Sequence, residues 1–138
     1  MDKKQLALDT IIAQGMLPLY FNPDETVSIE ILRAIYKAGV KAVEYTNRGD
    51  AALANFKKLV EVRNAEMQGM LIGVGTVKNV TDAKNYVAAG ADFMVSPGLE
   101  LEVAKYADSV GLLYGPGCMT PSEVMAAENA GLKFIKLF

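Results

Sequence analysis

The chain has 138 residues, with 14 Lys and Arg against 16 Asp and Glu, a formal net charge of −2. That balance gives no electrostatic footprint for nucleic acid or an anionic membrane surface, and no apolar run reaches the ~18–20 residues of a membrane helix. The sequence contains no histidine, which excludes a His general base, a Ser-His triad and His-ligated zinc, so acid–base work falls to Glu, Asp, Lys, Tyr or water.

The first predicted element is a helix over Lys3–Gln14. Asp9 and Gln14 interrupt its apolar stretch, so the start is not a signal peptide. The single cysteine, Cys118, has no partner in the chain for a disulfide, which fits a reducing compartment. A soluble, cytoplasmic single domain over residues 1–138 is the expectation.

From there short apolar runs and helical patterns alternate. Leu17–Phe21 has strand length. Thr26–Ala38 sets Val27, Ile31, Leu32 and Ile35 on one helical face, with Asn22 and Asp24 as start signals. The strand Val40–Thr46 leads to a helix over Asp50–Glu66, where Leu53, Phe56, Leu59 and Val60 share a face. Strands follow at Met70–Thr76, Asp92–Ser96 and Leu112–Gly115, separated by helices at Asn79–Ala89 and Glu100–Ser109. Thr120-Pro121-Ser122-Glu123 is a capping box with Pro at the first helical position, and it opens a helix before the last strand, Lys133–Phe138. Gly39, Gly69, Gly90, Gly111 and Gly131 recur every 20–30 residues, each reading as a helix end before a strand.

Strands alternating with helices of this length imply βα units and a parallel sheet. Two architectures accommodate six such units: an open doubly wound sheet, or a (β/α)8 barrel cut after its sixth strand. The chain stops inside an apolar strand with no helix after it, so the expectation is a C-terminally truncated barrel.

In both architectures ligands bind at the carboxyl ends of the strands. Glu44, Thr46 and Arg48 share one face of their strand, continuing Val40 and Ala42. The plain alternative to a functional role is a Glu44–Arg48 ion pair at a solvated strand end. On the last strand Phe134, Lys136 and Phe138 share a face; an ammonium between two aromatics is destabilised, which favours the neutral amine of Schiff-base chemistry. Lys133 reads as a snorkelling surface lysine. Gly73-Val74-Gly75-Thr76-Val77 offers close backbone approach and a hydroxyl, but Lys78 stands where a dinucleotide fingerprint needs its third Gly. Ser96-Pro97-Gly98 reads as a tight turn, and Gly115-Pro116-Gly117-Cys118-Met119-Thr120 as the loop into the capped helix. Cys118 is a nucleophile candidate only by default, with no His to activate it.

Together these strand ends resemble the class I 2-keto-3-deoxy-6-phosphogluconate (KDPG) and 4-hydroxy-2-oxoglutarate (KHG) aldolases. The motifs that carry the resemblance are Glu44-x-Thr46-x-Arg48, Gly73-x-Gly75-Thr76-Val77, Ser96-Pro97-Gly98, Pro116-Gly117-x-x-Thr120-Pro121-x-Glu123 and Lys136-Leu137-Phe138. The resemblance implies a (β/α)8 barrel of the Schiff-base aldolase type, represented by an initial helix, strands 1–6 and the five helices between them, without the last two βα units. It implies a lyase that cleaves KDPG to pyruvate and glyceraldehyde 3-phosphate, or KHG to pyruvate and glyoxylate. Lys136 matches the Schiff-base lysine and Glu44 the general acid/base. Arg48 and Thr76 match the grip on the substrate carboxylate, and Pro97 and Phe138 the pocket walls. No metal or other cofactor is implied, and the implied partner is a small 2-keto acid, with a homotrimer for the full-length protein.

Asn47 and Gly49 depart from the residues common in that family on either side of the Arg. The phosphate-binding loops of the family follow its seventh and eighth strands, so the chain by itself is expected to be inactive. The residues alone leave open another phosphate-binding barrel, such as an epimerase or synthase, and a non-catalytic six-strand module.

Overall fold

The computed structural model describes residues 2–138. Its elements are α1 (Lys3–Gln14), β1 (Leu19–Tyr20), α2 (Glu25–Lys37), β2 (Ala42–Thr46), α3 (Ala52–Glu66), β3 (Leu71–Gly75), α4 (Val80–Ala88), β4 (Phe93–Ser96), α5 (Leu101–Ser109), β5 (Leu113–Cys118), α6 (Pro121–Asn129) and β6 (Lys136–Leu137). The start signals act as the sequence suggests. Asp24 accepts from the Val27 amide at the head of α2, and Thr120 and Glu123 form a reciprocal capping box on α6. Gly39 and Gly90 take positive φ, 91° and 97°, turning the chain from a helix end into the next strand.

The six strands are all parallel and lie in the order β1-β2-β3-β4-β5-β6. A doubly wound sheet reverses its strand order at a switch point; this one never does. Sequential order is the topology of a β/α barrel, which decides between the two architectures the sequence allows.

Register and alternation sort each strand into an outer and an inner face. Val43, Tyr45, Ile72, Val74, Met94 and Tyr114 point outward and form the larger core with helix residues such as Leu32, Phe56, Leu59 and Val103. Ala42, Phe93, Val95 and Leu113 point inward, where Ala7 and Ile11 of α1 pack against them. Thus α1 closes the end of the interior where the strands begin. Gln14 fixes that closure: its side-chain oxygen accepts from the Lys41 and Ala42 amides at 2.6 and 3.0 Å, and its Nε2 donates to the Ala42 carbonyl. On the outer side Arg63 of α3 is paired with Asp92, whose carboxylate also accepts from the Ile72 amide at 2.8 Å. That pairing ties a helix end to both β3 and β4.

Most elements differ from the sequence reading by one or two residues at an end, and β1, β5 and β6 differ most. β1 and β6 are two residues each, shorter than Leu17–Phe21 and Lys133–Phe138, because each pairs with a neighbour on one side only. β5 runs on through Pro116 and Gly117 to Cys118, which corrects the expected loop. Pro116 is aligned with Ser96 of β4, and Gly117 with Lys136 of β6. Gly115 and Gly117 are inward positions where a side chain would overlap the Phe134 ring and the Pro97 carbonyl, so their smallness serves packing rather than a turn. Among the described residues no helix is long and apolar enough to cross a membrane.

Candidate functional site

Following the inward face toward the carboxyl ends, the lining changes from apolar to polar. On β2, Ala42 gives way to Glu44 and then Thr46, both buried, at 3% and 2% exposure. A buried carboxyl needs room and a partner. The room comes from β3: Gly73 is aligned with Glu44 and Gly75 with Thr46, and a Cβ on Gly75 would overlap the Glu44 carboxyl. The Gly-x-Gly of β3 is therefore part of the strand, and its second glycine is a seat for a side chain of the neighbouring strand.

The partner comes from β6. Lys136 Nζ lies 3.7 Å from Glu44 Oε2 and 5.5 Å from the centroid of the Phe138 ring. The lysine surroundings are less apolar than the alternation of Phe134, Lys136 and Phe138 suggests: its side chain is one-third exposed and faces a carboxyl. Glu44 is thus ion-paired with Lys136, and Arg48, exposed beyond the strand end, contributes only a longer-range attraction. Burial pushes the Glu44 carboxyl above the ordinary carboxylate range, opposed by Lys136 and then Arg48. A carboxyl that holds its proton more tightly, beside an amine, can donate that proton to an oxygen leaving a carbon bonded to the amine.

All six residues singled out from the sequence, Lys136, Glu44, Arg48, Thr76, Pro97 and Phe138, line one cleft of about 290 Å³ at the carboxyl ends of the strands. A smaller apolar cavity of about 140 Å³, reaching to Leu17 and Phe134, shares Glu44 and Lys136 with it. A larger cavity of about 380 Å³ lies at the opposite end, between α1 and the start of β5, and includes Lys133 but not Lys136.

The loops carrying the outer residues are held from behind. Thr76 has φ 61°, the one positive value among the described non-glycine residues, in a region that costs a β-branched side chain of order 1 kcal/mol. Bonds on both sides hold it: Asn47 N donates to Gly75 O at 2.9 Å and Val77 N to Val95 O at 3.2 Å. Asn47, a departure from the family pattern, accepts from Tyr86 Oη at 2.9 Å and so anchors the segment preceding Arg48. Ser96 is occupied structurally, its hydroxyl bonded to Gly98 O and Tyr114 Oη, which fixes the turn that presents Pro97. Cys118 is buried, and burial pushes its thiol up, away from thiolate reactivity.

Sequence reasoning missed the seat that Gly75 provides and the presence of Lys78 in the cleft. A glycine inside a strand, rather than after it, is the signal that marks the first. Gly75→Ala should push the Glu44 carboxyl from its place and lower any activity that depends on it by roughly 100-fold, with the sheet retained. Far-ultraviolet circular dichroism with a borohydride-trapping rate in pyruvate measures both; a full rate in the folded variant contradicts this geometry.

Comparison with known proteins adds an independent view. Residues 10–138 match the family model described as "Aldolase: KDPG and KHG aldolase". A 2-dehydro-3-deoxy-phosphogluconate aldolase from Pseudoalteromonas atlantica is 29% identical over 129 residues, 93% of this chain and 58% of that protein. Among solved structures, a 4-hydroxy-2-oxoglutarate/2-dehydro-3-deoxyphosphogluconate aldolase from TTHB1 superposes with TM-score 0.83 and 36% identity, over 100% of this chain and 64% of that one. A KDPG aldolase from Legionella pneumophila, solved with pyruvate captured as a covalent carbinolamine, gives TM-score 0.81 and 26% identity, covering 94% of this chain and 61% of that one. The chain spans about half the length of the curated relatives it matches.

Proposed function

Because the chain belongs to the KDPG and KHG aldolase family, we propose that it carries the covalent chemistry of a class I aldehyde-lyase. In this reading the whole protein cleaves KDPG to pyruvate and glyceraldehyde 3-phosphate, or KHG to pyruvate and glyoxylate. The observation that supports it most is the approach of Lys136 Nζ to the buried Glu44 carboxyl, 3.7 Å, in a cleft shared with Arg48 and Thr76.

The chemistry follows from those groups. The Lys136 ammonium passes a proton to Glu44 and, as the neutral amine, attacks C2 of the 2-oxo acid; a C–N bond forms, the carbonyl π pair moves to oxygen, and that oxygen takes the proton the nitrogen loses, giving a carbinolamine. Glu44 gives a proton to that hydroxyl, water leaves, and an iminium remains. Glu44, now a carboxylate, takes the proton of the C4 hydroxyl. The C3–C4 bond breaks, its electron pair passes into the enamine, and the aldehyde departs. Protonation at C3 and hydrolysis of the iminium release pyruvate and restore the lysine. Arg48 and Thr76 hold the substrate carboxylate, the guanidinium offering two parallel donors that an ammonium lacks. Pro97 and Phe138 wall the pyruvyl end. A homotrimer in the cytoplasm completes the proposal for the whole protein.

Pyruvate carries no phosphate and needs only the groups that line this cleft, so incubation of the chain with pyruvate and borohydride, then peptide mass analysis, should place one reduced adduct on Lys136 even though turnover of KDPG is not expected of the chain alone. No adduct on the folded chain, or an adduct on another lysine, overturns the reading.

A further inference from the structure

The mechanism above leaves one buried, unpaired polar group of the cleft unused. Thr46 is 2% exposed and lines the cleft between Glu44 and Arg48. Its Oγ1 meets no hydrogen-bond partner, the single buried side-chain N or O so placed among the described residues. A hydroxyl offers one donor and two acceptor sites, and leaving it unpaired in the interior costs free energy. Valine has the same shape and suits a strand equally well, so packing gives no reason for the oxygen.

Its neighbours indicate what the oxygen meets. Thr46 is aligned with Gly75, and the Glu44 carboxyl occupies the space over Gly75. The carboxyl therefore reaches forward to the level of Thr46, yet the two are not hydrogen-bonded. An oxygen set between the two would meet both, and Lys136 Nζ stands 3.7 Å from the same carboxyl. Resting on the aldolase reading, we propose that Thr46 Oγ1 donates a hydrogen bond to the C2 oxygen of the bound 2-oxo acid, as carbonyl, as carbinolamine hydroxyl and as the water that leaves. Glu44 protonates that oxygen while Thr46 fixes its direction. Thr46 is then a substrate-contacting residue of the dehydration step, distinct from the carboxylate grip of Arg48 and Thr76.

The test compares the chain with Thr46→Val and Thr46→Ser by the rate of borohydride-trapped adduct formation over a range of pyruvate concentrations, and by thermal melting. In Thr46→Val the saturating rate should fall roughly 100-fold, as when a preorganised donor is removed from an active site. Its half-saturating pyruvate concentration should change little, and it should melt no lower than the parent chain. Thr46→Ser should restore most of the rate. An unchanged rate in Thr46→Val overturns the inference. So does a marked drop in its melting temperature, which would mean the hydroxyl holds the fold, or a Thr46→Ser rate as low as that of Thr46→Val. A parent chain that forms no adduct on Lys136 fails the aldolase reading and this inference together; a labelled parent with an unaffected Thr46→Val fails the inference alone.

Discussion

Lys136→Arg is expected to abolish the borohydride-reducible pyruvate adduct while leaving the fold in place. The guanidinium keeps the positive charge facing Glu44, so the buried carboxyl retains an attractive partner and melting should shift little. What is lost is the nucleophile: a guanidinium stays protonated at every usable pH and has no free electron pair to attack C2. The expected loss is at least ~1000-fold, down to whatever the remaining lysines label nonspecifically. Lys133→Arg is the matched control. Lys133 lines the cavity at the opposite end, three residues earlier in the chain, and its replacement should leave the adduct yield unchanged. Mass analysis of the two labelled variants decides the matter. A persistent adduct in Lys136→Arg, or its loss in Lys133→Arg, assigns the chemistry to a different group.

Glu44→Gln carries the second large effect. The amide fills the same space over Gly75 but cannot deliver or accept the proton, so adduct formation should slow by 10²–10⁴-fold, the usual contribution of a positioned acid or base. The same variant has a signature in stability. Burial raises the Glu44 pKa in the folded chain above its unfolded value, and the attraction of Lys136 and Arg48 opposes this without reversing it. The folded state therefore binds the proton more tightly than the unfolded state does. The contribution of this group to stability is fully present at pH below the unfolded carboxylate pKa and is lost as pH rises through the higher folded value. Glutamine does not titrate. Melting curves over pH 4–8 should show Glu44→Gln gaining on the parent chain as pH rises; parallel curves would mean that burial does not control this carboxyl.

Much of the architecture was legible because periodicity and punctuation are local. The helix over Lys3–Gln14, the Asp24 cap and the capping box at Thr120 are set by neighbours within four residues, and they stand where the sequence places them. Alternation also told which face Glu44, Thr46 and Lys136 take, since residues two apart on a strand must share a side. Pairing was not legible. The only partner for Glu44 that the residues themselves suggested, in the non-functional alternative, was Arg48, its near neighbour in sequence, whereas the sheet brings Lys136, 92 positions later, to the carboxyl. The strand course of Pro116-Gly117 was hidden for a similar reason. Proline and glycine together signal a turn locally, and only alignment with β4 and β6, and the Phe134 ring over Gly115, show why these residues suit a strand here.

The inward glycines of β3 and β5 have a further meaning for how this interior can change. At Gly73, Gly75, Gly115 and Gly117 the wall is main chain, covered by Phe93 and Glu44 from neighbouring strands, by Phe134 just before β6, and by the Pro97 carbonyl and Phe138 ring. A side chain that borders a ligand can hop between rotamers and yield an ångström or two; a hydrogen-bonded parallel backbone cannot. Along that wall the available width is fixed by the spacing of the sheet itself. Any accommodation of a bulkier molecule must come from the loop side, at the long exposed side chains of Arg48 and Lys78.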